Sequence, residues 1–434
     1  MKIALLEAAE FIRQRSLRRF EFAGQEVEQA VREIVQKVRM DGDRALRRLT
    51  ERFDRFLLPP GDWSIGREAM AAAFERLDPM DQEALRTMAE RIREFHRRQV
   101  PETDGFTMTD AAGNILGQRI CPLNKVGLYV PGGRAAYPSS VLMGLIPAAL
   151  AGVRSLYVAT PPGEKGVPDS VLAAAHLAGA ERVFSIGGAQ AIAALAYGTE
   201  TVPQVDMIVG PGNVYVTEAK RQVFGQVAID GLAGPTEIVI VADDSANLDW
   251  VAADMLAQAE HDPQATAILI CWSHRLAENV RQALARRMAG EPRQEIMMRA
   301  LEDHGAIVLC RDLDEALQLA NRLAPEHLSL QVAQPEQWIE RIETAGALFL
   351  GSYAPVAAGD YSAGTNHILP TAGTGRFSSG VSVETFLRRF NVFQGTVHGA
   401  SAWLPAAERV ARLEGFFGHA SSLAARREGA GDDR

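Results

Sequence analysis

The histidines that stand beside a carboxylate or a carboxamide are the residues of this chain best suited to chemistry. In Ala324-Pro325-Glu326-His327-Leu328 a carboxylate and an imidazole are adjacent, just ahead of an apolar run. A general base works best with a pKa near the working pH, and an imidazole at roughly 6.5 meets that with little tuning, so His327 is the first candidate for a base. Glu326 can take a proton from water if it is partly desolvated. Neighbouring side chains on an extended segment point to opposite sides, however, and a plain surface Glu-His pair has the same sequence. In Ala257-Gln258-Ala259-Glu260-His261-Asp262-Pro263, Gln258 and His261 are three apart, on one face of a helix that Pro263 stops, so both can point at one ion. A capped helix end with a solvent-facing histidine accounts for the same residues. The stretch 359–367 lacks periodicity and reads as a loop. Its Asp360 and His367 offer oxygen and nitrogen donors that zinc accepts, although Asp and Asn are also ordinary turn residues. His419, five residues after Glu414, acquires a role only in company with the others.

Three Gly-rich turns form a second group: Val130-Pro131-Gly132-Gly133-Arg134, Ile186-Gly187-Gly188-Ala189-Gln190 and Val209-Gly210-Pro211-Gly212-Asn213. Each ends a strand-like run and opens a helical one, whose N-terminal amides can face an anion. None is G-x-G-x-x-G, and most α/β proteins need such turns whatever they bind.

These residues must be held by an α/β framework. Apolar runs at 126–130, 155–159, 182–186 and 206–209 alternate with helical stretches, which implies parallel strands joined by right-handed crossovers. After Ala233-Gly234-Pro235 the alternation restarts, with runs at 237–241, 266–272, 306–310, 328–332 and 347–350. The expected fold is two Rossmann-like parallel-sheet domains, alike in architecture as a duplication would leave them, though not residue by residue. Small N- and C-terminal helical appendages complete it. The first hundred residues read as helices, with Val27, Val31, Ile34, Val35 and Val38 at helical spacing and a second amphipathic stretch at 68–97. Beyond Gly380 the chain reads as polar-helical, with a helix at 406–416 and a solvated tail at 426–434.

Composition narrows the function. The 434 residues exceed one ordinary domain, and 47% apolar with 23% charged residues is usual for packed proteins. A net charge of −9 offers no general attraction for nucleic acid, the local basic run at 91–98 aside. Cys121, Cys271 and Cys310 are far apart, which suggests neither a disulfide framework nor a thiolate zinc site and fits a reducing cytoplasm. Glu7 and Glu10 break the only N-terminal apolar stretch, and the apolar run 141–153 is short of the roughly 20 residues needed to span a bilayer, so no membrane or export segment is expected.

Together the motifs resemble the histidinol dehydrogenase family over nearly the whole chain. The likeness is carried by L-R-R-L-T-E-R-F at 46–53, V-G-L-Y-V-P-G-G-R at 126–134, G-G-A-Q-A-I-A-A-L-A-Y-G-T at 187–199, V-G-P-G-N-V-Y-V-T-E-A-K at 209–220 and A-G-P-T-E at 233–237. Segments 258–261, 325–328, 359–370 and 414–419 extend it. The resemblance implies one zinc per subunit, held by Gln258, His261, Asp360 and His419 and completed by the substrate's imidazole and amino nitrogens, a mixed N/O shell that zinc tolerates. It implies NAD at Tyr129, Gln190 and Asn213, and substrate contacts from Thr236, His327, His367 and Glu414 as well as from the zinc ligands. Many members carry Ser where this chain has Thr236, which keeps the hydroxyl and adds a methyl group.

The implied reaction is the oxidation of L-histidinol through L-histidinal to L-histidine, with His327 as the base and Glu326 activating water. The implied organisation is a helical arm at 1–24, an α/β domain at 25–128 and 236–380 carrying metal and catalytic residues, a Rossmann-like NAD-binding domain at 129–235, and a C-terminal appendage at 381–434 that reaches the partner in a homodimer. A related enzyme for an anionic hydroxy compound and a silent NAD- or metal-binding module are the competing readings. Glu414 opposes the first, because a carboxylate repels a sulfonate; the joint presence of Glu326, His327 and four candidate ligands opposes the second.

Overall fold

The computed structural model describes residues 3–16, 24–132 and 136–429, so Gly133 and Arg134 of the first Gly-rich turn lie outside it. Two compact units emerge: residues 1–99 with 123–386, and residues 100–122 with 387–434.

The larger unit holds two six-stranded sheets. The first runs Ser64–Gly66, Arg182–Phe184, Ser155–Ala159, Lys125–Tyr129, Met207–Val209 and Ala228–Ile229, parallel except for its antiparallel first edge. The second runs Ala4–Glu7, Ala306–Leu309, Thr266–Cys271, Glu237–Ala242, His327–Gln331 and Ala347–Leu350, parallel throughout. In both, the strand that starts the α/β alternation lies in the middle and the order reverses beside it, the doubly-wound arrangement expected from the sequence. All six residues of Glu237–Ala242 are buried, as a central parallel strand covered on both faces requires.

Three expectations are corrected. The segment 1–24 is not simply a helical arm, because Ala4–Glu7 pairs with Ala306–Leu309 as an edge strand ahead of the helix Ala8–Ser16. Residues 25–97 belong with the first sheet, not with 236–380. Val31, Val38 and Leu46 pack with Tyr129 and Ile192 on one face of that sheet, while Met70, Met88 and Ile92 pack with Val126 and Leu128 on the other. Finally, the C-terminal appendage is not all helical. Leu387–Gln394 pairs antiparallel with Ile115–Pro122, which pairs with Gly105–Thr109, and with the helices Val397–Leu413 and Phe417–Gly429 these strands form the smaller unit.

Candidate active site

The main cavity, about 630 Å³, lies in the larger unit. On one side it is walled by the turns after the C-terminal ends of first-sheet strands, at Pro131, Gly210 and Pro211. On the other stand Thr236, Glu326 and His327, at the N-terminal ends of second-sheet strands, with Gln258, His261, Asp360 and His367.

Glu326 and His327 converge despite being adjacent. Helix Leu313–Leu323 ends at Ala324 with left-handed φ (47°), and Pro325 follows, so Glu326 lies on irregular backbone and only His327 begins the strand. Glu326 Oε2 accepts the Thr236 hydroxyl at 2.6 Å and the Glu237 N–H at 2.9 Å, and lies 3.5 Å from His327 Nδ1. Burial pushes the Glu326 pKa up to about 7, against the lowering effect of those two donors. His327 Nδ1 is 3.1 Å from the Glu237 carbonyl oxygen. That acceptor requires the proton on Nδ1 and leaves Nε2 with a lone pair. Burial also holds the His327 pKa below the ordinary imidazole value, with Asp360 opposing, so the ring is a neutral base at neutral pH.

Helix Leu248–Ala259 carries Gln258 in its last turn but stops before His261, so the pair does not share one helical face as expected; His261 reaches the cavity from the segment just beyond the helix end. Gln258 Nε2 donates to Thr236 Oγ1 at 2.5 Å, and among the described residues no donor reaches its amide oxygen. Asp360 lies not in a loop but on the short helix Val356–Tyr361, with Oδ1 3.5 Å from His367 Nδ1. Burial works to raise the Asp360 pKa, yet His367, His327 and His261 together hold it below the ordinary carboxylate range. Desolvation by the cleft walls lowers the His261 pKa.

An ionised carboxylate, a neutral imidazole and a free amide oxygen are the protonation states and donor types a zinc ion takes, so this set fits one. Among the described residues no three His, Cys, Asp or Glu side chains form a metal-binding group, and this set supplies two of those types plus an amide. The fourth expected ligand, His419, and Glu414 belong to the smaller unit, where both are exposed; the His419 ring lies tilted against Phe416 with ring centroids 5.3 Å apart.

Of the expected cofactor positions, Tyr129 and Gln190 meet at the second Gly-rich turn. The Tyr129 hydroxyl accepts the Gly188 N–H at 3.1 Å, and the buried Gln190 Nε2 has no partner among the described residues. Burial pushes the Tyr129 pKa up to about 12, so it stays a neutral phenol. Asn213 instead caps the next helix, its Oδ1 accepting from Tyr215 N at 3.1 Å and Val216 N at 3.2 Å. The motifs did not reveal Asp54, whose pKa burial raises to about 6 against the Gly187 N–H, or Ser140, whose Oγ is 3.3 Å from His367 Nε2. Asp54 directly follows the 46–53 segment, a signal that could have found it.

Gly-rich strand-to-helix turns facing a carboxylate–imidazole pair across one cavity are the equipment of an α/β oxidoreductase. The family model described as histidinol dehydrogenase matches residues 17–427. Over 409 residues the chain is 48% identical to a histidinol dehydrogenase of Nitrosomonas europaea, covering 92% of this chain and 93% of that protein. Over 399 residues it is 49% identical to that of Moorella thermoacetica, covering 92% and 94%. The crystal structure of histidinol dehydrogenase from Elizabethkingia anophelis superposes with a TM-score of 0.90 at 31% identity, covering 99% of this chain and 98% of that one. The chain therefore belongs to the histidinol dehydrogenase family, oxidoreductases of histidine biosynthesis. Among the described residues no helix is long and apolar enough to cross a membrane.

Proposed function

We propose that this protein oxidises L-histidinol through L-histidinal to L-histidine in the cytoplasm, with NAD as acceptor, and that it works as a zinc-containing homodimer. The observation that carries this reading is the buried pair itself on the cavity wall: a carboxyl with its pKa near 7 beside an imidazole whose Nδ1 is held by a backbone carbonyl, leaving the lone pair on Nε2.

His327 Nε2 takes the alcohol proton in the first oxidation. Glu326, as carboxylate, then removes a proton from the water that adds to the aldehyde carbon, and His327, having returned its first proton to solvent, takes the hydroxyl proton of the gem-diol in the second oxidation. Tyr129, Gln190 and Asn213 would hold NAD, which would supply the two-electron acceptor for each oxidation. Gln258, His261 and Asp360 with His419 would hold zinc, which would supply a cationic anchor for the substrate. Thr236 keeps Glu326 oriented, and His367 holds Asp360 ionised. The cavity walls retain the aldehyde between steps. Glu414 and His419 come from the smaller unit of the partner subunit. Phe106, Met108, Phe390, Phe393, Phe416 and Phe417 are exposed on that unit, apolar surface of the kind a subunit interface covers.

The test is the number of NADH equivalents formed per limiting histidinol by zinc-loaded protein with excess NAD. About two is expected from the four-electron chemistry. About one would remove the aldehyde step, and none, with turnover of an anionic hydroxy compound, would overturn the substrate.

A further inference from the structure

One buried ion pair on the cavity wall has no part in the chemistry above. Lys220, near the end of helix Val214–Val223, places Nζ on the Asp230 carboxylate and 3.0 Å from the carbonyl oxygen of Gly210. Asp230 Oδ2 accepts the Gly210 N–H at 2.7 Å, and Oδ1 accepts the Gly231 N–H at 2.8 Å. The two side chains are only 3% and 7% exposed. Gly210 is thus gripped at both its N–H and its carbonyl.

Gly210 stands where the third Gly-rich turn leaves the first sheet, with φ of 106°, and a Cβ there would collide with the carbonyl oxygen of Tyr129. Its position therefore sets how closely the Asn213 turn approaches Tyr129. Asp230 also opens the connection that delivers Thr236 to the second sheet. That connection is tied down by Thr217 Oγ1 donating to the Ala233 carbonyl at 3.0 Å and by Gly234 N–H donating to Thr371 Oγ1 at 2.6 Å. A buried ion pair is a poor way to gain stability, since well-packed apolar residues of similar volume are often as good or better. A pair placed here holds geometry instead.

We propose that Lys220 and Asp230 are positioning residues that fix the Gly210 peptide, and through it the NAD-binding turn, relative to the Thr236 residue that leads into the strand Glu237–Ala242. This rests on the NAD reading above. Outer residues that orient a ligand site commonly change affinity by about 10–100-fold when removed, and an effect of that size on NAD is expected here.

The experiment compares the wild-type protein with the apolar double variant Lys220→Met/Asp230→Leu and with Asp230→Asn, which keeps an oxygen for the Gly210 N–H but removes the charge. The readouts are NAD binding by calorimetry without substrate, and the thermal midpoint. A double variant as stable as wild type, or Asp230→Asn if the double variant does not fold, should bind NAD at least about tenfold more weakly. A folded variant with wild-type NAD affinity would reduce the pair to a structural contact and overturn the proposal. A wild-type protein that does not bind NAD at all would overturn the cofactor reading and this proposal with it, an outcome the wild-type arm alone identifies.

Discussion

Replacing Thr236 by Val removes one of the two donors that hold Glu326 near neutrality while keeping the side chain's shape. The Thr236 hydroxyl donates to Glu326 Oε2 at 2.6 Å, and only the Glu237 N–H at 2.9 Å would be left on that oxygen. A hydrogen bond to a charged group contributes about 1.5–3 kcal/mol, and 1.36 kcal/mol corresponds to one pKa unit, so the carboxyl should titrate about 1–2 pH units higher in the variant. The proposed water activation needs the carboxylate, so the rate of the aldehyde step rises as pH passes the Glu326 pKa, which is about 7 in the wild type. The acid limb for L-histidinal oxidation should therefore move upward in Thr236→Val and stay in place in Thr236→Ser, which restores the hydroxyl. The assay is initial NADH formation from L-histidinal across pH 5.5–10 with saturating NAD. A limb that stays put in Thr236→Val, or that moves in Thr236→Ser as well, would refute the link between this hydroxyl and the Glu326 titration.

Other outcomes follow from the same geometry. His327→Ala or His327→Asn should depress both oxidations by about 10²–10⁴-fold, whereas Glu326→Gln should mainly impair aldehyde conversion; separate assays with L-histidinol and L-histidinal decide, and equal losses for Glu326→Gln would remove its role with water. Mixed dimers of His261→Ala and His419→Ala subunits should regain activity that neither parent has, and no recovery despite proven mixing would argue against a shared site. Glu326 is fully buried with its pKa raised to about 7 from 4.5, so the folded state holds a proton that the unfolded chain releases earlier, and wild-type stability falls as pH rises through that window. Glu326→Gln should accordingly gain up to about 3 kcal/mol on wild type between pH 4.5 and 8, read by denaturant melts, and a gap that does not widen with pH would mean the carboxyl is not so raised.

The sequence revealed most where burial is most complete. The central strands of both sheets, such as Ser155–Ala159, Glu237–Ala242 and His327–Gln331, stand out as short apolar runs between helical stretches. Ala4–Glu7 and the trio Gly105–Thr109, Ile115–Pro122 and Leu387–Gln394 were missed because edge and surface strands carry mixed, largely exposed residues. The turn Asp110-Ala111-Ala112-Gly113-Asn114 between two of them was a hairpin signal in plain view. The allocation of 25–97 failed for another reason: amphipathic spacing shows that a helix has an apolar face, not which sheet that face covers. At the site, Glu326, His327, Gln258, His261, Asp360 and His367 could be picked out by residue type and family motif, and they line one cavity. Lys220 and Asp230 could not, because an ion pair ten residues apart that closes on a glycine peptide exists only in the folded chain.

The two sheets also show why the usual search rule finds only half of this site. Ligands of doubly-wound sheets gather beyond the C-terminal strand ends, and the Gly-rich turns of the first sheet obey that rule. Glu326 and His327 lie at the opposite edge of the second sheet, where Ile238 is registered against His327 and Glu237 precedes it at the strand's first residue. Just before that register begins, the Glu237 N–H donates to Glu326 and the Glu237 carbonyl accepts from His327. One residue's backbone therefore favours the ionised form of a buried carboxyl and selects the tautomer of the imidazole beside it. Asp360 and His367 act on the same two groups as smaller electrostatic influences, after burial and, for Glu326, after its two hydrogen-bond donors. A strand start buried among apolar side chains supplies both the desolvation that raises Glu326 and the fixed dipoles that limit the rise, so the two candidate catalytic groups are tuned by the sheet edge that holds them.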